Sequence, residues 1–349
     1  MFLALTLALS TLAPVDGDAL RDQLDAVVKA KAATAVLALV RDEGRDVSVA
    51  AGVRDLGSKA PADERGHFRI GSVTKTFVAT VLLQLVEEGR IGLDDKVDAH
   101  LPGALPAGSP ITVRQVLDHT SGLFDYAGAG IPGWSVRDYR PKESLYDQTP
   151  EELLAVGRSK PPYFQPGTGW RYSNTNYIVA AMLIEKKTGR PYAAEIEDRI
   201  LRPLGMRRTH VPGHDTEMPR PHARGYEPYR GRMVDATRAN PSLEHGAGEM
   251  ISTTADLATF LDALLGGKLI SATTLKQMRT VNASDYGLGL QAFPLPCGGK
   301  AYGHSGRWFG YLTYAIRSDA GKTLIVSANP YTGQMPADAM PKLLKTVFC

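Results

Sequence analysis

The first pattern in this chain that could support nucleophilic chemistry is Ser72-Val73-Thr74-Lys75. A three-residue step on a helix places Ser72 and Lys75 on one face, so the lysine amine comes close to the serine hydroxyl. A lysine kept neutral by its surroundings can accept the hydroxyl proton and activate the serine as a nucleophile. Roughly one Ser-x-x-Lys match is expected by chance in such a chain. Taken alone, the pattern therefore favours a serine helix cap beside a solvated lysine.

Two further patterns downstream have residue types that suit a catalytic cleft. Tyr172-Ser173-Asn174 stands in a loop ahead of an apolar helical segment at 177–187, and loop residues before a helix are well placed to reach a cleft. His304-Ser305-Gly306 follows on a predicted strand, where small residues would let a substrate backbone lie against the strand edge. The two further patterns make a nucleophilic role for Ser72 more plausible than the Ser-x-x-Lys pattern does alone.

Other patterns with known chemistry are absent or lack their context. The segment 128–133 matches G-x-G-x-x-G, but no strand precedes it, so we interpret it as a loop rather than a dinucleotide site. His210 and His214 are separated by Pro212-Gly213, so no helix face aligns them as metal ligands. The sequence contains no H-E-x-x-H, C-x-x-C or G-x-S-x-G. We expect neither a cofactor nor a metal ion.

The composition is that of a soluble globular protein with a sizeable core, since 43% of the 349 residues are hydrophobic and 22% are charged. A net charge of +3, without any dense Lys/Arg cluster, excludes a nucleic-acid footprint. The apolar run 2–12 is too short for a stable membrane span. Together with the small residues that follow, it predicts a signal peptide over residues 1–17 and a secreted protein. A buried N-terminal helix is the alternative.

The two cysteines, Cys297 and Cys349, agree with export, because an oxidising compartment would allow them to pair. Such a bridge would close a loop of about 53 residues and stabilise the fold by roughly 4 kcal/mol in the chain-entropy description. Two unpaired thiols are the alternative.

Similar element patterns at the two chain ends indicate that both ends build one antiparallel sheet. Pairs of β-rich runs around a polar turn occur at 34–40 and 47–53, and again at 311–316 and 323–327. Helical patterns lie at 19–31 and 341–348, and others occur at 73–88, 113–117, 151–156, 177–187 and 255–265. We predict an α/β fold with a helix-flanked sheet domain (18–89 and 240–349) and a mostly helical domain inserted at 90–239.

The order of the three motifs resembles that of the penicillin-recognising serine hydrolases. The tyrosine in the second motif is similar to the branch that holds class C β-lactamases and D-alanyl-D-alanine carboxypeptidases. The flanking segments strengthen the resemblance, namely Ile70–Lys75, Ile111–Leu117, His119–Leu123, Tyr172–Tyr177 and Tyr286–Leu290. His-Ser-Gly in place of the β-lactamase Lys-Thr-Gly makes the chain look most like the secreted D,D-carboxypeptidases. The two late cysteines also resemble the disulfide of that group.

The resemblance implies a role for each residue of the catalytic motifs. Ser72 would be the acylated nucleophile, and Lys75 and Tyr172 would share the proton transfer, with the identity of the base left open. Asn174 would hydrogen-bond the substrate amide.

The same resemblance implies that the third motif binds substrate. The backbone N–H groups of Ser72 and Arg307 would form the oxyanion hole. His304 and Ser305 would line the site at the substrate carboxylate.

The chain departs from the carboxypeptidase pattern where those enzymes recognise the substrate carboxylate. Gln291 stands where the family looks to have an arginine, Arg307 replaces a hydroxyl residue, and Leu243 replaces an aromatic one. On a regular strand Ser305 and Arg307 share a face, so Arg307 could supply the missing positive charge from the other side of the pocket. A solvent-facing Arg307 beside Trp308 is the alternative.

The resemblance therefore implies a secreted, monomeric serine D,D-carboxypeptidase. It would release D-alanine from D-Ala-D-Ala peptidoglycan stem peptides and be acylated by β-lactams. An esterase, a β-lactamase or a D-amino-acid peptidase on the same scaffold is the first alternative, since a fold does not fix the substrate. A non-catalytic penicillin-binding or cell-wall-binding protein is the second, and retention of Ser72, Lys75, Tyr172 and Asn174 argues against it.

Overall fold

The computed structural model describes residues 16–106, 108–128 and 141–349. The predicted signal peptide over residues 1–17 lies outside this part except for its last two residues, and the interpretation of 128–133 as a loop lies outside it beyond Gly128. Both interpretations stay predictions. Within the described part, no helix combines the length and the apolar character that are needed to cross a membrane.

The central element is a six-stranded antiparallel sheet to which both chain ends contribute. Its strands are β1 (Ala33–Asp42), β2 (Arg45–Gly52), β7 (Gln291–Pro294), β8 (Lys300–Trp308), β9 (Tyr311–Ser318) and β10 (Thr323–Pro330). They are ordered β2-β1-β10-β9-β8-β7, so the first hairpin pairs with the last strand. The predicted fold class, an antiparallel sheet made by both ends, is confirmed.

Ten α-helices accompany this sheet in the described part of the chain. They are α1 (Gly17–Lys29), α2 (Thr74–Glu87), α3 (Val97–His100), α4 (Val113–Leu117), α5 (Pro150–Arg158), α6 (Thr175–Thr188), α7 (Tyr192–Ile196), α8 (Thr254–Leu265), α9 (Ala272–Arg279) and α10 (Ala339–Phe348). Two short antiparallel pairs join β3 (Phe68–Arg69) to β6 (Ile251–Ser252) and β4 (Tyr226–Tyr229) to β5 (Arg232–Asp235).

Helices cover the sheet on both faces, which explains why β1 and β10 are almost continuously apolar rather than alternating. On one face, α1 and α10 bury a separate apolar cluster that includes Leu24 and Val347. On the other face α8 packs across β1, β9 and β10. Because both faces are buried, the local sequence of β1 reads as an unbroken apolar run.

Helix α2 lies at the centre of the main core and is buried on nearly all sides. The ring of Phe77 stacks on that of Phe260 in α8, with centroids 3.7 Å apart, and the helix also packs on α6. A helix that is buried on nearly all sides needs a covered position between layers. The helix therefore joins the sheet region to the helical region, and the assignment of 18–89, 90–239 and 240–349 to two domains stays a prediction.

A disulfide joins Cys297, in the turn between β7 and β8, to Cys349 at the end of α10. It attaches the last helix to the turn beside the edge strand β7 of the sheet. No cysteine among the residues that the structure describes is therefore free.

Candidate active site

Two glycines bring the Ser72 turn against strand β8. Ser72 lies in a short 3₁₀ turn, Gly71–Val73, that runs directly into α2. Gly71 has a φ of +51°, and a Cβ atom there would collide with the backbone of Arg307. A Cβ at Gly306 would likewise collide with the carbonyl of Ile70 and lie 3.0 Å from the Ser72 nitrogen. The two predicted oxyanion-hole donors, on Ser72 and Arg307, therefore belong to backbones in close contact.

The side chain of Lys75 is fully buried and fixed by three hydrogen bonds. Its Nζ donates to Ser72 Oγ at 2.9 Å, to Asn174 Oδ1 at 2.7 Å and to the Ala247 carbonyl at 2.6 Å. The predicted meeting of Ser72 and Lys75 on one helix face is present. The lysine amine is in position to exchange a proton with the serine hydroxyl.

The electrostatic surroundings of Lys75 favour its neutral form at moderately alkaline pH. Burial lowers its pKa to about 8, although the carboxyl groups of Glu244 and Asp125 act in the opposite direction. Burial also raises the pKa of Glu244 to about 8. A lysine with a pKa near the working pH can serve as a general base.

The phenol of Tyr172 completes the group around the nucleophile. It hydrogen-bonds the side chain of Ser72, and its ring lies 4.9 Å below the Lys75 ammonium. The rings of His119 and Tyr286 pack on it, at centroid distances of 4.3 Å and 6.1 Å. Burial raises the pKa of Tyr172 well above its ordinary value. Tyr172 is therefore a neutral phenol at neutral pH, and the geometry favours Lys75 as the base, a choice that the sequence left open.

Asn174 stands between Lys75 and Asp125 at the start of α6. Its Oδ1 accepts from Lys75, and its backbone N–H donates to Asp125 Oδ1 at 2.9 Å. The structure thus shows Asn174 positioning the lysine. Its predicted hydrogen bond to the substrate amide stays a prediction.

The third motif borders the nucleophile along an edge of β8. Strand β7 pairs with β8 only from Lys300 to Gly303, so the next residues face the Ser72 turn. His304 is buried, pairs through Nε2 with the Tyr286 hydroxyl at 2.8 Å, and has its pKa lowered to about 3 by burial. It is therefore a neutral hydrogen-bonding group. It is not a charge that could bind a carboxylate.

Gln291 supports Ser305 from the neighbouring strand. Its Oε1 accepts from the Ser305 backbone N–H at 2.8 Å and from Ser305 Oγ at 3.0 Å. The residue that stands where an arginine was expected therefore orients the serine of the third motif.

A cavity of about 570 Å³ opens in front of Ser72. Arg307 and Ser305 line it, as does the segment 333–337, where a Cβ at Gly333 would collide with the Arg307 guanidinium. The remaining lining residues are Tyr172, Gln291, His304, Gly306, Leu312, Tyr314 and Met340. Of the seven predicted site residues, five line this cavity, namely Ser72, Tyr172, His304, Ser305 and Arg307. Lys75 lies behind the cavity wall in contact with Ser72, and Asn174 contacts Lys75.

Comparison with known proteins places this geometry in a family. The sequence profile described as Beta-lactamase matches residues 20–345. The chain belongs to the beta-lactamase family. It is 33% identical over 296 residues to penicillin-binding protein 4* of Bacillus subtilis (strain 168). The aligned region covers 80% of this chain and 64% of that protein. The chain thus spans less than two thirds of that curated relative.

Solved structures of two hydrolases are similar over nearly the whole chain. A D-stereospecific amidohydrolase from Streptomyces sp. has a TM-score of 0.86 and 37% identity, covering 96% of this chain and 99% of the other. D-amino acid amidase from Ochrobactrum anthropi SV3, complexed with D-phenylalanine, has a TM-score of 0.82 and 28% identity, covering 95% and 97%.

Several residues that shape the site of this beta-lactamase-family protein carry no clear signal in the sequence. Asp125 follows the flank His119–Leu123 by two positions, which is a weak signal, and Tyr286 lies in a quoted flank without a role. No local pattern marks Glu244, because its importance comes only from burial beside Lys75. The structure contains no group of three His, Cys, Asp or Glu side chains that could hold a metal ion within its described residues.

Proposed function

We propose that this chain is a D-stereospecific serine amidohydrolase, which cleaves the amide bond on the carbonyl side of a D-amino acid through an acyl-enzyme. The observation that carries the proposal is the buried Lys75 amine, 2.9 Å from Ser72 Oγ at the cavity. That arrangement suits acyl transfer to serine. The D-configuration rests on the comparisons, because two similar structures and a D-aminopeptidase of Cereibacter sphaeroides, 31% identical over 218 residues, carry it in their names.

The reaction follows from the positions of the side chains. Neutral Lys75 takes the Ser72 proton while Oγ attacks the substrate carbonyl, and the backbone N–H groups of Ser72 and Arg307 hold the developing oxyanion. When the intermediate collapses, the C–N bond breaks and the amine leaves with a proton passed from Lys75 by way of the Tyr172 hydroxyl. Water then attacks the acyl-enzyme, and the same groups return the proton to Ser72.

Paired stereoisomers test this proposal. We expect the protein to hydrolyse D-phenylalanine amide or an acylated D-Ala-D-Ala peptide at least about 100-fold faster than the corresponding L-compound. Ammonia or D-alanine release, measured by chromatography at equal enzyme concentration, gives the ratio. Equal rates for both isomers, or turnover of esters without any amide hydrolysis, would contradict it.

A second candidate is the D,D-carboxypeptidase that the sequence suggested. It is favoured by one observation, the presence of Arg307 and Ser305 in the cavity in front of Ser72. A guanidinium there suits the terminal carboxylate of a D-Ala-D-Ala peptide, and the predicted signal peptide would bring the protein to peptidoglycan stem peptides outside the cell. β-Lactams would then acylate Ser72.

Replacement of Arg307 by alanine separates the two candidates. For a carboxypeptidase we expect kcat/KM to fall about 10- to 150-fold on an acylated D-Ala-D-Ala peptide, because a charge-assisted contact contributes roughly 1.5–3 kcal/mol. The same peptide with a C-terminal amide should change little, and Arg307→Lys should recover part of the loss. Equal losses on both peptides would indicate a damaged oxyanion hole, and no loss on either would remove Arg307 from substrate binding.

A further inference from the structure

A second large cavity, of about 780 Å³, shares no residue with the catalytic cavity. It is rich in positive charge, because five arginines line it. We call it the arginine cleft, and its arginines are Arg54, Arg65, Arg208, Arg220 and Arg224. They are up to 170 positions apart in the sequence. The order of charged residues along the sequence therefore does not predict the cleft.

The acidic residues of the cleft neutralise only part of this charge. Asp55 pairs with Arg224 at 2.8 Å, and Asp63 lies 3.4 Å from Arg65. Backbone N–H donors hold the pKa of both aspartates below its ordinary value, so both are ionised at neutral pH.

The histidine of the cleft does not change this balance. Burial lowers the pKa of His222, which keeps its ring neutral at neutral pH. The lining therefore carries three positive charges in excess at neutral pH, and Asp235, which pairs with Arg224 at 3.0 Å from outside the lining, offsets one of them.

Three of the arginines have a guanidinium without a carboxylate partner. Among the residues that the structure describes, no Asp or Glu pairs with the guanidinium of Arg54, Arg208 or Arg220. A neighbouring depression of about 480 Å³ adds one cation and one anion, Arg21 and Glu64, whose charges offset each other. The excess of positive charge therefore belongs to the cleft itself.

Backbone hydrogen bonds hold the walls of the cleft together. The Arg224 N–H donates to the Arg54 carbonyl at 2.9 Å, and the Arg208 guanidinium donates to the Arg65 carbonyl at 2.7 Å. The His67 N–H donates to the Pro221 carbonyl at 2.8 Å. Like charges gathered on a fixed frame repel one another, and a bound anion would relieve that repulsion.

We propose that the arginine cleft binds an anion that carries at least two phosphate groups. The planar guanidinium presents paired N–H donors that match phosphate oxygens two at a time. Arginines from both walls can contact separate phosphates of one ligand, with Arg54 and Arg220 as the principal contacts. The cleft would hold a phosphate-bearing molecule away from the catalytic cavity, independently of which amide or ester the hydrolase cleaves.

Isothermal titration calorimetry with inorganic tripolyphosphate tests the proposal on the whole chain. We expect saturable binding that weakens as sodium chloride is raised from 50 to about 300 mM, because salt screens the contacts. The double variant Arg54→Ala/Arg220→Ala should weaken binding at least tenfold. The matched control is Arg45→Ala/Arg230→Ala, which removes the same charge from two exposed turns outside the cleft and should bind like the parent.

Further measurements test which anions bind and whether the variants are folded. Acylation of Ser72 by a reporter β-lactam, or hydrolysis of a reporter ester, should be unchanged in the Arg54/Arg220 variant, which shows that it is folded. Citrate, a polyanion with carboxylates in place of phosphates, and orthophosphate should each bind at least tenfold more weakly than tripolyphosphate. The proposal would be overturned if tripolyphosphate binding did not saturate, or if the control variant lost as much affinity as the Arg54/Arg220 variant. It would also be overturned if citrate or orthophosphate bound as tightly as tripolyphosphate.

Discussion

Replacing Ser72 with alanine should lower turnover of every amide, ester or β-lactam substrate by about 10⁴-fold or more. In the proposed mechanism the Oγ atom forms the acyl-enzyme, and no other hydroxyl lies within hydrogen-bond distance of Lys75 Nζ among the described residues. The fold should persist, because Lys75 keeps its hydrogen bonds to Asn174 Oδ1 and the Ala247 carbonyl. Steady-state hydrolysis and thermal melting together measure both effects.

Mass spectrometry gives the same prediction a direct chemical readout. A reactive β-lactam should add one covalent mass to the intact protein, and digestion should place it on the peptide that contains Ser72. Ser173→Ala is the matched control, since the Ser173 hydroxyl is buried near the site and has no hydrogen-bond partner among the described residues. That variant should still be labelled. An adduct that persists in Ser72→Ala would refute the assignment of the nucleophile.

The parts of the site that could be predicted from the sequence are those set by local geometry. The three-residue step from Ser72 to Lys75 fixes their proximity within one helical turn. Strand alternation places Ser305 and Arg307 on one face, and the structure has both side chains at the cavity. Hairpin patterns predicted the sheet for the same reason, since each pair of strands is encoded within about 20 residues.

The remaining features depend on contacts between distant segments, which a local pattern cannot reveal. The burial of Lys75 requires Asn174 and Ala247 from two other segments, and its lowered pKa follows from that enclosure. The two-residue strands β3 and β6 are too short to give a period. The packing of segment 333–337 on Arg307 likewise follows from the tertiary fold. The proposal that Lys75 is the base therefore needed the structure.

Replacing Lys75 with methionine should lower the rate of acylation about 10³-fold, within the range that a general base contributes. Methionine fills a similar volume in the buried site but cannot accept the Ser72 proton. Stopped-flow measurement of acylation, with Tyr172→Phe in parallel, compares the two candidate bases. We expect the smaller loss in Tyr172→Phe, because burial keeps that phenol protonated. A larger loss in Tyr172→Phe than in Lys75→Met would contradict the assignment of Lys75 as the base.

The pH profile of the parent enzyme follows from the same assignment. Only neutral Lys75 can accept a proton, and burial lowers its pKa to about 8. The acylation rate should therefore rise as the pH increases through about 8 and level off above it. Glu244, whose own pKa burial raises to about 8, opposes this shift once it is ionised, since its negative charge favours protonated Lys75. Glu244→Gln removes that charge from the pH range of the rising limb, which lowers the lysine pKa further and should move the limb to lower pH.

Glu249→Gln provides the control for this shift, because Glu249 is equally buried but is engaged by the Tyr192 hydroxyl and two backbone N–H groups. It is not among the groups that shift the pKa of Lys75. In Glu249→Gln the acylation rate should rise over the same pH range as in the parent enzyme, whatever the effect of this substitution on stability. If the rising limb of the pH profile stays in place in Glu244→Gln, or moves equally in both variants, the charge of Glu244 does not set the protonation of Lys75. Movement in Glu244→Gln alone would tie the rate of acylation to one buried carboxyl group beside the base.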